Sequence, residues 1–330
     1  MRLGVQALMG SDWKRSLEKV KIAEDLGYEL VAGAEAWGVS TIPWLTILAT
    51  NTSRIQIGTA IVNCFSRSAA ALAQEFAALD VISEGRMVLG LGASGEYVIE
   101  HFHGVPFRRP LRRLREYTEI FNTLISGEPL NYDGEIFHLE RGFKLEYNRP
   151  RAHIPVYIAA ITPRSIDQAG AIADGLIPIH WPKRQFAALR RQLDAASIAA
   201  DREAGAVTVA PSTYVQVLDG KDDEAKWRAA RQPLSFYVNR MGVFYWQMLS
   251  RGGFEAEVAA SRAAWANRDA DAALNAISEE MVREVQVIGT IESIREQLQE
   301  RSDLGADLQL IAMPGGDPLE AGRLLEAFIR

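Results

Sequence analysis

The stretch RMVLGLGASGE, residues 86–96, decides how the rest of the chain is interpreted. Its first half is apolar at consecutive positions, which is typical of a strand buried on both faces. Gly90, Gly92 and Gly95 then form GxGxxG, a pattern that binds a dinucleotide when a strand precedes it and a helix follows. Glu96 comes directly after the last glycine. The stretch therefore predicts either a nucleotide-binding fold or a glycine-rich strand end that carries a carboxylate.

The residues after Gly95 argue against the dinucleotide-binding fold. Pro106 and Pro110 would interrupt a helix that begins there. A ribose-binding acid is expected about 20 residues on, at the end of the next strand, but Glu116 and Glu119 lie within a helical pattern. The motif also follows the fourth predicted strand instead of the first. We interpret the motif as the carboxyl end of a strand, where backbone N–H groups can approach an anion or a flat ring. The alternative is a glycine-rich turn that only closes the rim of a barrel.

Composition limits the classes of protein that the chain can be. Its 330 residues are 48% hydrophobic, which is enough for a large core. With 36 basic and 42 acidic residues, the net charge of -6 gives no general attraction to nucleic acid or to an anionic membrane. The one cysteine, Cys64, excludes an intrachain disulfide and fits a reducing compartment. No apolar run is long enough for a signal peptide or a membrane span, so we expect a cytoplasmic protein.

Strand and helix patterns alternate along the chain with a spacing of roughly 30 residues, which favours βα units and a parallel sheet. Residues 130–147 alternate and turn at Asp133-Gly134, which predicts a β-hairpin, and residues 222–276 are helix-rich and aromatic. We therefore predict an α/β fold, a (β/α)8 TIM barrel with these two insertions, as one domain over residues 1–330. The eight predicted strands cover residues 3–8, 28–34, 54–61, 87–91, 156–161, 175–180, 207–218 and 308–313.

Several stretches together resemble the bacterial-luciferase-like monooxygenase family, and within it the branch that uses the deazaflavin coenzyme F420. They are LGYELVAGAEAWG (26–38), TSRIQIGTAIVN (52–63), ISEGRMVLGLGASGE (82–96), HGVPFRRPLRRLREY (103–117) and IADGLIPI (172–179). The resemblance implies a barrel that holds a flat ring in its mouth and moves a hydride to or from a small apolar or carbonyl-containing molecule. An FMN-dependent monooxygenase is the alternative enzyme, and a non-catalytic flavin-binding barrel is the alternative outside catalysis.

The resemblance also assigns positions that bind the cofactor. It implies a non-prolyl cis peptide between Ala60 and Ile61, behind the ring, and an acid near the ring at Glu35. Relatives that oxidise a sugar phosphate carry a histidine just after this acid, where the present chain has Ala36. The remaining matched positions are Asn63, Gly92, Ala93, Ser94, Gly95, Ala160, Ile161 and Thr162.

Two carboxylates, Glu96 and Glu35, are the candidates for catalysis. Glu96 matches a group proposed in relatives to donate or accept a proton opposite the ring. Hydride transfer changes the charge on the substrate, so a carboxyl group shielded from water is a suitable partner. The alternative for Glu96 is a carboxylate at a helix start that interacts with the free N–H groups there.

Three further residues, His103, His180 and Trp181, are candidates for lining the substrate pocket, with surface exposure or simple packing as the alternatives. His101 and His103 are two residues apart, but no third ligand accompanies them, so we expect no metal site. Cys64 is expected to be a packed residue, because no base can be assigned to it.

A basic run, formed by Arg108, Arg109, Arg112, Arg113 and Arg115, precedes and enters a predicted helix. The F420 coenzyme carries a phosphodiester and a polyglutamate tail, which such a run can hold through charge-assisted hydrogen bonds. A solvated face or a subunit contact is the alternative. The aromatic residues between 227 and 265 shape either the substrate pocket or a subunit interface, and we expect a homodimer or a higher homo-oligomer.

Overall fold

A ring of short parallel strands forms the centre of the structure, a computed structural model that describes residues 1–330. In chain order the strands are β1 (Leu3–Gln6), β2 (Leu30–Gly33), β3 (Gln56–Thr59), β4 (Val62–Asn63), β5 (Met87–Gly92), β6 (Leu130–Asp133), β7 (His138–Phe143), β8 (Val156–Ile158), β9 (Gly175–Leu176), β10 (Thr208–Val209), β11 (Ser212–Thr213), β12 (Val215–Val217), β13 (Val287–Gly289) and β14 (Gln309–Ala312).

Eight stretches of chain close this ring, which confirms the predicted (β/α)8 barrel. Around the ring the order is β10, β9, β8, β5, β3, β2, β1, β14 and β11. The two ends of this series belong to one stretch, residues 208–213, which pairs with β9 on one side and with β14 on the other. Pro211 interrupts the stretch because it has no N–H, yet its carbonyl accepts from Leu310 N at 2.9 Å. The single strand predicted over residues 207–218 is therefore three shorter ones.

Helices surround the ring, and none of them is long and apolar enough to cross a membrane. Each buries an apolar stripe; α5, for example, buries Leu114, Phe121 and Leu124. In chain order they are α1 (Trp13–Asp25), α2 (Ile42–Asn51), α3 (Ala69–Ile82), α4 (Glu96–His101), α5 (Pro110–Ser126), α6 (Pro163–Ile172), α7 (Phe186–Ala199), α8 (Asp223–Arg240), α9 (Val243–Leu249), α10 (Glu255–Ala266), α11 (Ala270–Asn275), α12 (Glu279–Val285), α13 (Ile291–Asp303) and α14 (Pro318–Ile329).

The two insertions lie where the sequence predicts them. β6 and β7 form an antiparallel hairpin, in which Gly134 N donates to Phe137 O at 2.9 Å. The helical insertion, α8 to α12, is longer than predicted and ends at Val285. It closes on a pair of parallel strands, β12 and β13, in which Val215 lies opposite Val287. A strand as short as β13 has no periodicity that would mark it in the sequence.

Inside the ring, β3 and β5 approach each other closely at Thr59 and Gly90. A Cβ atom added to Gly90 would lie 1.7 Å from the Thr59 carbonyl oxygen, so only glycine fits. The Thr59 hydroxyl donates to Gly90 O at 2.7 Å and accepts from Gly90 N at 2.9 Å. The first two glycines of GxGxxG are thus buried strand residues. The third, Gly95, is followed by α4. This helix has only six residues and ends before Gly104 and Pro106 of the next loop.

We expect Gly90→Ala to lower the free energy of unfolding by about 3 kcal/mol, because the added methyl group forces β3 and β5 apart. Gly38→Ala is the matched control, since a Cβ atom there meets nothing within 4 Å. Urea unfolding followed by circular dichroism measures both. Equal midpoints for the two variants would contradict the close approach of the strands.

Candidate active site

The mouth of the barrel, at the carboxyl ends of its strands, is where barrels place their sites. Two open cavities, of about 680 and 650 Å³, lie at the other end of this barrel. Both are lined by Met1 and by Asp303, next to the amino end of β1. The predicted site residues lie at the carboxyl ends of the strands or in the segments that follow them at the mouth.

A β-bulge between β3 and β4 shapes the floor of the mouth. β5 pairs first with β3, where Gly58 lies opposite Val88, and then with β4, where Val62 lies opposite Leu91. Three residues, 59–61, therefore face only two residues of β5, which is a bulge of one extra residue. Bulges of this kind re-aim the neighbouring side chains.

Ala60 and Ile61 are the residues that the bulge displaces, and the peptide bond between them is cis. Ala60 N donates to Gly33 O at 2.6 Å, and Ile61 O accepts from Glu35 N at 3.0 Å. Their side chains pack against the apolar cluster inside the ring. The mouth thus has an apolar floor that is hydrogen-bonded to the end of β2.

Asn63 and Gly92 lie opposite each other where β4 and β5 end. The Asn63 side-chain oxygen accepts from two backbone N–H groups of the following turn, at 2.9 and 2.8 Å. A Cβ atom at Gly92 would lie 2.9 Å from Ile61 Cδ1, so the glycine leaves room for the floor. Cys64 is buried, and burial raises the pKa of its thiol to about 12, which fits the packed residue that we expected.

Glu35 is held by an ion pair that was not recognised in the sequence. Arg67 donates to both of its oxygens at 2.6 and 2.9 Å, and Thr41 N donates to Oε1 at 2.9 Å. The side chains of Glu35 and Arg67 are only 11% and 18% exposed. Burial by itself raises the pKa of Glu35, but the bonds from Arg67 and Thr41 outweigh burial and hold the pKa below its ordinary value. A carboxylate fixed in this way suits anchoring better than proton donation.

The loop after β5 forms one lip of the mouth. Ala93, Ser94 and Gly95 are half-buried, and Ser94 has a φ of +62°. Glu96 is the first residue of α4 and is exposed, so the expectation that its carboxyl group is shielded from water is wrong in this structure. Gly95 is the extended N-cap residue of this helix, and Glu96 lies in its first turn. This position also fits the alternative in which the Glu96 carboxylate interacts with the free N–H groups at the start of a helix.

The segment after β8 is the neighbouring lip, since β8 pairs directly with β5. Ala160 is buried and Ile161 is half-buried. Thr162 begins α6 with a capping box, in which its hydroxyl accepts from Ser165 N at 3.3 Å and the Ser165 hydroxyl accepts from Thr162 N at 3.0 Å. The polar atoms of Thr162 therefore serve the helix.

Three arginines of the basic run are paired within the protein. Arg109 and Arg112 both pair with Glu135 of the hairpin turn, and Arg115 pairs with Glu119 at 3.6 Å. The first two pairs connect α5 to the hairpin, and the third lies within α5. For these three arginines the contacts favour a structural role over binding of the coenzyme tail.

The other two arginines, Arg108 and Arg113, have no carboxylate within ion-pair distance. Arg108 is exposed. The Arg113 guanidinium lies 4.8 Å from the Phe65 ring centroid and 5.1 Å from that of Phe137. Since Phe65 follows Asn63 by two residues, Arg113 brings an unpaired cation to the edge of the mouth.

The histidines of α4 and the following loop do not form a metal site. His101 is exposed and stacks on Tyr97 at 6.0 Å between centroids, and His103 packs edge-on against Phe102 at 5.0 Å. His103 is half-buried, and its Nε2 atom has no partner. No three His, Cys, Asp or Glu side chains come together as metal ligands anywhere in the chain.

His180 and Trp181 are buried where the sixth ring strand ends, inside an aromatic cluster. The His180 ring stacks on Tyr214 at 5.6 Å between centroids and meets Tyr237 edge-on at 4.6 Å. Tyr237 in turn meets Tyr245 at 4.7 Å. Tyr214 follows β11 and was not recognised in the sequence, although its place directly after a ring strand could have indicated it.

The helical insertion covers the mouth. Phe236 of α8 packs on Trp37, which follows β2, at 6.3 Å between ring centroids. Met241, which follows α8, has its Cε 3.8 Å from the position of a Cβ atom at Gly95. One end of α8 therefore contacts the loops after the second, fourth and sixth strands of the ring, the last through Tyr237. Phe236, Tyr237 and Tyr245 of the aromatic segment thus contribute to the mouth.

Comparison with known proteins places this geometry among luciferase-like monooxygenases, whose family model matches residues 1–308. A 5,10-methylenetetrahydromethanopterin reductase of Archaeoglobus fulgidus is 29% identical over 320 residues, 96% of this chain and 94% of the relative. An F420-dependent glucose-6-phosphate dehydrogenase of Gordonia bronchialis is 31% identical over 193 residues, 54% of this chain and 56% of the relative. The solved coenzyme F420 dependent tetrahydromethanopterin reductase of Methanopyrus kandleri superposes with a TM-score of 0.84 at 22% identity, over 98% of this chain and 97% of that one.

We expect Glu35→Gln to lower the free energy of unfolding by about 2 kcal/mol at pH 7, because Arg67 loses the nearer of its two charged acceptors and keeps only Glu75. The pKa of Glu35 is lower in the folded state than its ordinary value of 4.5. The stabilisation is therefore present above that value, and the difference from the wild type shrinks as the pH falls below it.

Asp25→Asn is the control for the Glu35 prediction, because the Asp25–Arg54 pair is exposed, at 76% and 63%. We expect it to change stability by no more than about 0.5 kcal/mol. Chemical unfolding between pH 3 and pH 7 measures both variants. A pH-independent effect of Glu35→Gln, or an effect no larger than that of Asp25→Asn, would contradict the anchoring role.

Proposed function

The chain belongs to the luciferase-like monooxygenase family, and on this basis we propose that it is a coenzyme F420-dependent oxidoreductase. It moves a hydride between the deazaflavin and a small organic substrate. Two of the three similar proteins described above carry F420 in their names. The structural observation that carries the proposal is the apolar floor made by Ala60 and Ile61, which lies at the mouth beside the end of β5.

The residues around this floor fit a flat, anionic coenzyme. The backbone N–H groups of residues 93–95 donate to no acceptor within the protein. Glu35 is paired with Arg67, which also pairs with Glu75 at 3.1 Å, so both oxygens of Glu35 are occupied while the cluster keeps one net negative charge. Arg108 and Arg113 have no carboxylate partner and are available for the phosphodiester or the glutamates. We propose that the floor, Asn63 and this lip hold the ring, while Ala160 and Ile161 border it.

The coenzyme supplies or accepts the hydride when it is bound. Reduction of a carbonyl group then adds one proton to its oxygen, and oxidation of the alcohol removes that proton. We assign this proton to the Glu96 carboxyl group, which stands at the lip of the mouth and is free of ion pairs. Glu35 is a positioning residue, because its bonds to Arg67 and Thr41 N fix the loop that follows β2.

Assembly and compartment are part of the same proposal. We assign the chain to the cytoplasm, as one domain over residues 1–330 that forms a homodimer or a higher homo-oligomer. Exposed apolar side chains outside the mouth, such as Ile198 and Phe143, supply surface for such contacts. The net charge of -6 supports small-molecule partners over nucleic acid.

Calorimetric titration of the apoprotein with F420 and with FMN tests the choice of cofactor. We expect F420 to saturate the protein at concentrations where FMN does not. Arg113→Met should weaken F420 binding about 10-fold, since it removes one charge-assisted contact. Arg115→Met should leave it unchanged, because Arg115 is paired with Glu119. Binding of FMN alone would favour the monooxygenase, and binding of neither would favour a non-catalytic barrel.

We expect Glu96→Gln to lower turnover at least about 100-fold, because a side-chain amide cannot exchange the proton. The dissociation constant of F420 should remain the same. The measurement is oxidation of reduced F420 by a panel of ketones, imines and enones. Glu100→Gln on the same helix is the control, since its side-chain oxygen can still accept from Phe107 N. Unchanged turnover in Glu96→Gln would contradict the role of Glu96 in proton transfer.

A further inference from the structure

The aromatic cluster at the mouth encloses a polar ring that has no partner. His180 is 1% exposed, with Tyr214 stacked on its face and Tyr237 against it edge-on. Neither His180 Nδ1 nor Nε2 has a hydrogen-bond partner, and the Nε1 atom of the neighbouring Trp181 also lacks an acceptor. A buried polar group left in this way costs about 1–3 kcal/mol. Buried polar groups are rarely left unpaired unless a function requires it.

The backbone at His180 adds a second sign of constraint. Its φ is +53°, a left-handed conformation that residues with a side chain seldom adopt. The residue thus combines an unfavourable backbone angle with two unsatisfied nitrogens at the carboxyl end of a ring strand. Such features cluster at ligand-binding sites, where the surrounding structure enforces them.

The protonation states of His180 and its neighbours determine which kind of molecule can bind. Burial lowers the pKa of His180 to about 3, so the imidazole is neutral at pH 7. Burial also raises the pKa of Tyr237, and that of Tyr245 to about 12, so both phenols stay protonated. The cluster therefore contains no cation that could neutralise a phosphate or a carboxylate. A charged substrate would lose its hydration there without gaining an opposite charge in return.

The rim of the mouth is apolar as well. Large hydrophobic side chains are exposed on three of the loops around it, and they are Trp37, Val39, Tyr97, Phe102, Val243 and Phe244. Exposed apolar surface around a concave site favours an apolar ligand. Aromatic walls favour flat or ring-shaped bodies, because rings stack or meet edge-on with them.

We propose that the His180 cluster, formed by His180, Tyr214, Tyr237 and Tyr245, binds the ring of a neutral aromatic or alicyclic ketone, or the corresponding alcohol. His180 holds the oxygen of that substrate. A neutral imidazole has one N–H donor and one acceptor nitrogen, so the same ring donates to a ketone oxygen and accepts from an alcohol hydroxyl.

This assignment rests on the proposed hydride transfer for its reaction. The ketone carbon gains the hydride of a reduced deazaflavin and its oxygen gains one proton, which yields the alcohol and the oxidised deazaflavin. His180 keeps its own proton throughout and acts as a substrate-binding residue. Recognition of the ketone, however, needs no coenzyme and can be measured without it.

Saturation-transfer-difference NMR on the apoprotein tests the proposal, with cyclohexanone and acetophenone as probes and glucose 6-phosphate as the charged comparison. We expect the two ketones to bind and the sugar phosphate to give no signal. His180→Phe retains a flat ring and removes both nitrogens, so the dissociation constants of the ketones should rise at least about 10-fold. His138→Phe, on the exposed hairpin, is the matched control and should bind the ketones as the wild type does.

Thermal unfolding of the same variants separates binding from a structural role. His180→Phe should unfold close to the wild-type temperature, because removal of two unsatisfied buried nitrogens offsets the strain of phenylalanine at a left-handed φ. A lower unfolding temperature with unchanged ketone binding would overturn the proposal. If His180→Phe is insoluble, His180→Gly, which tolerates the left-handed backbone and has no polar side chain, takes its place with the same expected loss of binding.

The outcome for this inference is distinct from that for the proposed function. Binding of F420 without binding of either ketone would overturn the assignment of the cluster and leave the cofactor proposal standing. Binding of the ketones without binding of F420 would overturn the proposed function and leave the recognition role of His180 standing.

Discussion

The close contact between Thr59 and Gly90 is the constraint on which the mouth of the barrel depends. The Thr59 hydroxyl bonds to both backbone groups of Gly90, so β3 and β5 are fixed together at that level. Above it the chain gains one residue before β4 resumes the pairing, and this extra residue brings Ala60 and Ile61 over the barrel interior. The floor of the site is therefore a consequence of how two strands pack, and the missing side chain at Gly92 leaves space for it.

Charge is kept away from this floor. Glu35 stands at the edge of it, but Arg67 and Thr41 hold its carboxylate. The insertion covers the mouth mainly with aromatic rings, with Arg240 on the Phe236 ring at 5.5 Å, and the histidine that Tyr237 contacts is neutral. In so apolar a setting an unpaired hydrogen-bonding group discriminates strongly between ligands, because little water competes with it. Hydride transfer to a ketone leaves a negative charge on the substrate oxygen, so in this apolar setting a proton must reach that oxygen as the hydride arrives.

The sequence predicts the barrel and its hairpin well, because strand periodicity and turn residues are local signals. It does not predict the pairing of Glu35 with Arg67, since 32 residues separate them in the chain and they come together only in the folded barrel. The break at Pro211 and the strand Val287–Gly289 are missed because elements of two or three residues carry no periodicity. The sequence places Glu96 directly after the glycine-rich strand end, but its exposure depends on the direction of a six-residue helix.

The central claim is that the apolar floor and the aromatic insertion enclose one site for coenzyme and substrate. A crystal structure of the protein with oxidised F420 and cyclohexanol tests it most directly. The account predicts the deazaflavin ring on Ala60 and Ile61, with the alcohol oxygen within 3.2 Å of a His180 nitrogen, the usual limit of such hydrogen bonds. A ring bound elsewhere, or an alcohol bound away from His180 at full occupancy, would contradict it.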